Sequence, residues 1–308
     1  MYGVYLQGEP AVAATPLTDP DNGYIVTIMI EEDKMDAGSS VVLQDGLTVH
    51  YKRAGHGMVV LLLHGSGASL ASFDGVAARL SASFDVLRID LPGFGRTGPR
   101  ADRDYRIEIL ASTVGQVMEV LGVSRYALVG HSLGGNIAWN LALDRPERIA
   151  GLVLINATGY PGKSLPAGMR LAQNPFLRPL LRRWMPRFAV ARSLRLAAGS
   201  GFAVDDAMID RVYAMANRPG NREAFVDFVN TRQRDRSAEI PRITTPTLIL
   251  RSASIDGQYF AHDIPTAREE VHADGGRLLP QEDPGWVADA IERFLVSLDV
   301  AVPAGELR

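Results

Sequence analysis

The chain has 308 residues, 46% hydrophobic and 22% charged, the balance of an ordinary globular protein and not of a disordered, collagen-like or coiled-coil one. A net charge of −3 leaves no footprint for nucleic acid, and the lack of cysteine excludes a disulfide scaffold, a thiol nucleophile and a zinc–thiolate site. The apolar run Met58–Leu63 is far short of the ~20 residues of a membrane span, and no Lys or Arg precedes Lys34 to begin a secretory signal, so the cytoplasm is the default expectation.

Residues 1–38 carry Pro10, Pro16 and Pro20, an acidic cluster at Glu31-Glu32-Asp33, and one apolar stretch, Tyr24–Ile30, that can add an edge strand. The segment is expected to be an N-terminal extension without chemistry. From residue 40, short apolar runs alternate with segments of helical period: Leu47–Arg53, Met58–Leu63, Phe84–Ile89, Tyr126–Val129, Gly151–Ile155 and Thr247–Leu250. The middle runs are continuous Val, Ile and Leu, as parallel strands covered on both faces require. Ile107, Leu110, Val114, Val117 and Leu121 fall at i, i+3, i+7, i+10 and i+14, the stripe of a helix lying on a sheet. Such alternation predicts an α/β fold with right-handed crossovers. Residues 160–240 interrupt it with helical stretches and no convincing strand, which reads as a cap inserted over the strand ends. The core is therefore expected over 39–159 and 241–300, with a helix near Pro284–Val296 packed back on the sheet and a tail at 301–308.

Three motifs carry chemistry. Gly130-His131-Ser132-Leu133-Gly134, followed by Gly135, comes directly after a predicted strand and opens an apolar helix over Asn136–Leu143. That is G-x-S-x-G in the strand–turn–helix setting of a nucleophile elbow, where the glycines permit a sharp turn and the helix N-terminus favours developing negative charge. His64-Gly65-Ser66-Gly67 follows another strand; paired with an elbow, the N–H groups of Ser66 and Leu133 would form an oxyanion hole. Asp90-Leu91-Pro92-Gly93-Phe94-Gly95-Arg96 follows a third.

With these motifs in this order, the chain resembles the α/β-hydrolase superfamily from about Val42 to Leu295, closest to its capped esterase, lactonase and carbon–carbon hydrolase branches. The run Ala150–Asn156 resembles the strand that precedes the cap there. The resemblance implies an α/β-hydrolase fold: a mostly parallel eight-stranded sheet with helices on both faces, a helical cap after the sixth strand, no cofactor and a small-molecule substrate. It further implies a Ser–His–Asp triad, with the acid after the seventh strand and the histidine after the eighth. No nucleic-acid partner or stable membrane insertion is expected, and the protein is expected to be a monomer or homodimer.

The triad is where the chain departs from the family. Alignment on Pro246–Leu250 puts Ile255 in the acid slot, with Asp256 one residue later. The end of the eighth strand reads Gly275-Gly276-Arg277-Leu278-Leu279-Pro280, so the histidine slot holds Arg277 or Leu278, depending on the anchor. Neither can take a proton from serine, because leucine does not titrate and arginine never releases its charge. Of the six histidines, His50, His56, His64, His131, His262 and His272, none stands in the slot; His272 and His262 are the nearest substitutes, and His64 fits a structural task in the oxyanion turn.

Candidate catalytic residues are thus Ser132, Asp256, His272 and Arg277, the last able to hold an anionic or enolic oxygen if it turns inward. Candidate substrate contacts are His64, Gly65, His131, Asn156 and, from the cap, Trp184; no metal ligands are found. From Arg148 to Val204 there is no Asp or Glu, while Arg170, Arg178, Arg182, Arg183, Arg187, Arg192 and Arg195 fall inside. They suit a solvated helix face, or the steering of an anionic substrate. Phe176, Leu177, Leu180, Leu181, Trp184, Met185 and Phe188 are expected to pack within the cap, in preference to lying on a membrane. Three functions compete: a non-hydrolytic biosynthetic catalyst of cyclisation, elimination or carbon–carbon chemistry that keeps the oxyanion hole; a serine hydrolase with a relocated histidine; and a non-catalytic binding protein.

Overall fold

Continuous apolar runs at the centre of the chain form the centre of its sheet. The computed structural model describes residues 13–18, 25–30, 38–161, 167–255 and 258–299. Among them are ten strands: β1 (Ala13–Thr18), β2 (Ile25–Ile30), β3 (Ser39–Val42), β4 (Thr48–Ala54), β5 (Val59–Leu63), β6 (Asp85–Ile89), β7 (Tyr126–His131), β8 (Ile149–Ile155), β9 (Thr247–Ser252) and β10 (Ala267–His272). They lie in the order β1-β2-β3-β4-β6-β5-β7-β8-β9-β10. The six strands from β6 to β10 run parallel, and β4 pairs antiparallel with β6. Strands β3 to β10 are the eight of an α/β-hydrolase sheet. The apolar stretch of the N-terminal extension adds β2 alongside β3, and β1 lies beyond it.

Alternation along each strand feeds two cores. Leu61 and Leu63 join Leu128, Leu152 and Leu154 on one face, under α2 (Ile107–Val120) and α3 (Leu133–Asp144). The helical stripe Ile107, Leu110, Val114 and Val117 is buried there. Val60 and Leu62 point the other way, against Val76 and Leu80 of α1 (Asp74–Leu80) and against the C-terminal helix.

Helices alone fill the insertion between β8 and β9 among its described residues: α4 (Ala167–Gln173), α5 (Arg178–Arg183), α6 (Arg187–Ala197), α7 (Asp206–Ala216) and α8 (Asn221–Asn230). Val190, Ala191 and Leu194 of α6 pack on Met208 and Ile209 of α7, which Asp205 caps by accepting the Met208 N–H at 2.7 Å. The α8 helix meets the main core, with Ala224 buried in it and the Phe228 ring 6.0 Å from that of Phe94. Here one expectation fails. Phe176, Leu180, Trp184 and Phe188 are exposed instead of packed within the insertion. Pro186 separates α5 from α6, and helices of 6 and 11 residues each have one side to bury. After β9 the chain forms α9 (Phe260–Asp263), a single turn, then α10 (Leu279–Glu282) and α11 (Pro284–Asp299). Val287, Ile291 and Leu295 of α11 are fully buried on the sheet.

Candidate active site

The elbow stands where β7 passes into α3. Ser132 has φ 52° and ψ −109°, a conformation that costs an L residue roughly 1–3 kcal/mol and persists only when its surroundings enforce it. The surroundings are backbone. A Cβ on Gly130 would lie 2.3 Å from the Gly134 carbonyl oxygen, and one on Gly134 2.2 Å from that of Leu63. The Ser132 N–H donates to Ile155 at 3.0 Å, and the Gly134 N–H donates to the His64 carbonyl at 3.1 Å. This last bond lays the start of α3 against the turn after β5. Two donors at this junction, the N–H groups of Ser66 and Leu133, have no acceptor among the described residues. Leu133 opens a 12-residue helix, so its N–H also carries the positive end of the helix dipole. Phe225 of α8 stands above the turn, 3.9 Å from where a Gly67 Cβ would be.

Among the described residues the Ser132 hydroxyl has no hydrogen-bond partner, and the histidines are occupied elsewhere. His64 is fully buried; its Nδ1 donates to the Gly65 carbonyl at 2.8 Å, and its Nε2 accepts the Leu91 N–H at 3.0 Å. Burial lowers its pKa against the pull of Asp90, so the ring is a neutral, fully buried strut between two turns. His50 bonds Asp90 at 2.8 Å. His56 is exposed, and the exposed His262 bonds its neighbour Asp263. His272 stays on β10, with Nε2 3.3 Å from Asp283 and its ring edge-on to Trp286; no bond links it to Ser132. Asp256 lies outside the described residues. Ile255, in the acid slot, offers no carboxylate.

The loop after β10 does approach the elbow, but it brings a backbone oxygen. His131 donates from Nε2 to the Arg277 carbonyl at 2.8 Å. The Arg277 N–H donates to Ala197 at the end of α6, while the Arg277 side chain is exposed and does not turn inward. Burial takes the His131 pKa down to about 4, so the ring is neutral and packed below the serine, with Nδ1 closed to solvent and unpaired. Gly65 is buried beside it: a Cβ there would sit 3.2 Å from both His131 Nδ1 and Ser132 Cβ. Asn156, held at φ 43°, spends its amide on the frame as well. Its Oδ1 accepts the Ser252 N–H at 2.9 Å, and its Nδ2 donates to Ser252 Oγ and to the Gly276 carbonyl. Trp184, at the C-terminal end of α5, is 54% exposed. Of the residues expected to meet substrate, His64, Gly65, His131 and Asn156 thus build the walls behind Ser132.

Glu282 and Ser252 give no signal in the sequence, and Asp90 stands in the Asp90–Arg96 motif without an assigned task. Glu282 accepts the N–H groups of both Gly276 and Leu278, fixing the loop from below. Ser252 donates its hydroxyl to the same Gly276 carbonyl at 2.7 Å. Asp90 gathers the Leu70 and Arg96 N–H groups and His50. Burial works to raise the Asp90 pKa, but these hydrogen bonds and nearby His64 outweigh it and hold the carboxylate ionised.

Comparison with known proteins agrees with this architecture. Residues 58–283 match the family model of the alpha/beta hydrolase fold. A protein of Bacillus subtilis named as the uncharacterized hydrolase YugF is 28% identical over 265 residues, 82% of this chain and 95% of its own. A 2-hydroxy-6-oxononadienedioate/2-hydroxy-6-oxononatrienedioate hydrolase of Cupriavidus pinatubonensis is 32% identical over 236 residues, 70% of this chain and 78% of its own. Among solved structures, a meta-cleavage product hydrolase from Pseudomonas fluorescens superposes with a TM-score of 0.71 at 22% identity, covering 84% of this chain and 98% of that one.

Proposed function

The chain belongs to the alpha/beta hydrolase fold family, and from that premise we propose an enzyme that holds a carbonyl-bearing small molecule at Ser132 and transforms it without an acyl-serine intermediate. One observation carries the reading. The loop that would deliver a base is fastened to the elbow through the Arg277 carbonyl and His131, with an exposed arginine in the histidine's place. A serine whose proton has no acceptor is a weak nucleophile. The N–H groups of Ser66 and Leu133 remain free to receive negative charge on a carbonyl oxygen, and the Ser132 hydroxyl becomes a third donor. Three donors around one oxygen would stabilise negative charge that the substrate brings as an enolate or that gathers on its carbonyl oxygen as an internal nucleophile adds to it. That assists cyclisation, elimination, or making and breaking a carbon–carbon bond next to the carbonyl. The helical insertion would act as the cap that excludes water.

A second reading, hydrolysis with a base from elsewhere, is favoured by the relatives: the Cupriavidus protein is named for hydrolysing a dianionic keto acid. Fluorophosphonate labelling followed by intact-mass measurement separates the two. On the first reading the wild type stays as unlabelled as Ser132→Ala. Stoichiometric labelling of the wild type alone would put the hydrolase first.

A further inference from the structure

The outward side of the insertion is apolar and basic at once. Phe176, Leu180, Trp184, Phe188 and Leu196 are exposed by 89%, 50%, 54%, 69% and 66%. On α6 the buried side is Val190, Ala191 and Leu194; Phe188, Arg192, Arg195 and Leu196 follow at i, i+4, i+7 and i+8 and share the opposite side. The rings of Trp184 and Phe188 meet edge to face at 6.5 Å, which joins the end of α5 to the start of α6 in one patch. Arg182 is paired with Asp227, and Arg187 with Asp206 and Asp210. Arg183 and Arg192 have no salt-bridge partner among the described residues, while Arg195 lies close enough to Asp206 to help lower its pKa. No Asp or Glu lies between Arg148 and Val204, so α5 and α6 themselves carry no carboxylate, and those beside the start of α6 belong to α7 and are engaged by Arg187.

We propose that this face docks peripherally on an anionic lipid bilayer. Arginines on long stems reach headgroup phosphates while aromatic and leucine side chains from the same helix side enter the acyl boundary below. An acidic protein would satisfy the arginines but would leave Phe176, almost wholly bare, without an apolar seat of its own. The described residues include no helix long and apolar enough to cross a membrane, and the contact proposed is with the headgroups and the upper acyl region. The inference rests on the surface alone and stands whichever chemistry Ser132 performs.

Flotation of the full chain with vesicles tests it: phosphatidylcholine alone against an equal mixture of phosphatidylcholine and phosphatidylglycerol. Binding to the mixed vesicles is expected at low salt, roughly tenfold weaker on the neutral ones, and it should weaken as salt screens the headgroups. Phe176→Ser with Phe188→Ser should cut partition about tenfold, and Arg183→Glu with Arg192→Glu by at least as much. All four side chains are exposed, so thermal melting should match the wild type for both pairs. Equal partition onto neutral and anionic vesicles, or none onto either, overturns the proposal. A wild type that binds no vesicles and elutes as a dimer that Phe188→Ser breaks also overturns it, because a second copy then covers the face.

Discussion

His131 Nε2 and the Arg277 carbonyl oxygen, 2.8 Å apart, bind the residue before the serine to the loop that carries a histidine in triad enzymes. A carbonyl only accepts, so the proton of the neutral ring resides on Nε2, and Nδ1 keeps a buried lone pair without a partner. Around this bond Asn156, Ser252 and Glu282 each hold Gly276 or Leu278. The loop is therefore seated at the elbow by several independent bonds, none of which needs a histidine at position 277.

His131 gives the fold a defined acid sensitivity. Burial lowers its pKa from 6.5 to about 4, so the unfolded chain takes up the proton first as pH falls. The ring's contribution is complete above the unfolded pKa and is lost as pH drops toward the folded one, on the order of 3 kcal/mol in all. His131→Gln keeps an Nε2 donor for the Arg277 carbonyl but does not titrate. Urea midpoints at pH 7 and 4.5 should fall further for the wild type than for the variant. A parallel fall would assign the acid limb to other groups.

The elements legible in the sequence are those whose signal is local. The elbow, the runs of β5 to β9 and the stripe of α2 each declare themselves within a short window. Strand β3, Ser39–Val42, is too short and polar to stand out, and β10, Ala267–His272, is a charged edge strand whose burial lies in its neighbours. The clasp from Asn156 to Ser252 spans 96 residues, and that to Gly276 spans 120, so only the fold brings these partners together. The periodicity around Trp184 and Phe188 shows which side of a helix is apolar, but not whether anything covers it.

Asn156→Ala should destabilise the chain by about 2–3 kcal/mol, because the buried Ser252 N–H and the Gly276 carbonyl each lose a partner and alanine is poorly suited to φ 43°. Asn156→Gly removes the same amide with relaxed backbone and should recover part of the loss. Urea denaturation measures both, and hydrogen exchange of residues 273–278 should quicken in each. Unchanged stability in Asn156→Ala would mean the clasp contributes nothing.

Glycine is required at position 134 for space and at position 122 only for conformation. A Cβ on Gly134 would fall 2.2 Å from the Leu63 carbonyl oxygen and 2.8 Å from that of His64, both rigid backbone, whereas Gly122, at φ 69°, has nothing within 4 Å. Gly134→Ala should cost about 3 kcal/mol or prevent folding, and Gly122→Ala about 1 kcal/mol. Thermal melts that rank the two in the opposite order would contradict the close contact of α3 with β5.

Ser132→Cys tests whether the elbow lacks a base. An alcohol needs its proton removed at the moment of attack, but a thiol ionises unaided near pH 8.5, and a helix N-terminus lowers that value. Position 132 lies at the N-terminus of α3 beside the free Leu133 N–H, so a thiolate there is stabilised without any histidine. The chain has no cysteine of its own, and iodoacetamide therefore reports on that site alone. Alkylation of the variant should show a midpoint below pH 8.5. With p-nitrophenyl acetate it should release about one equivalent of p-nitrophenol and then stop, since nothing activates water to remove the acyl group. The wild type should give no burst. Steady turnover by the wild type, abolished in Ser132→Cys, would instead show that a base reaches the hydroxyl, and His272→Ala and His262→Ala would then be the substitutions to identify it.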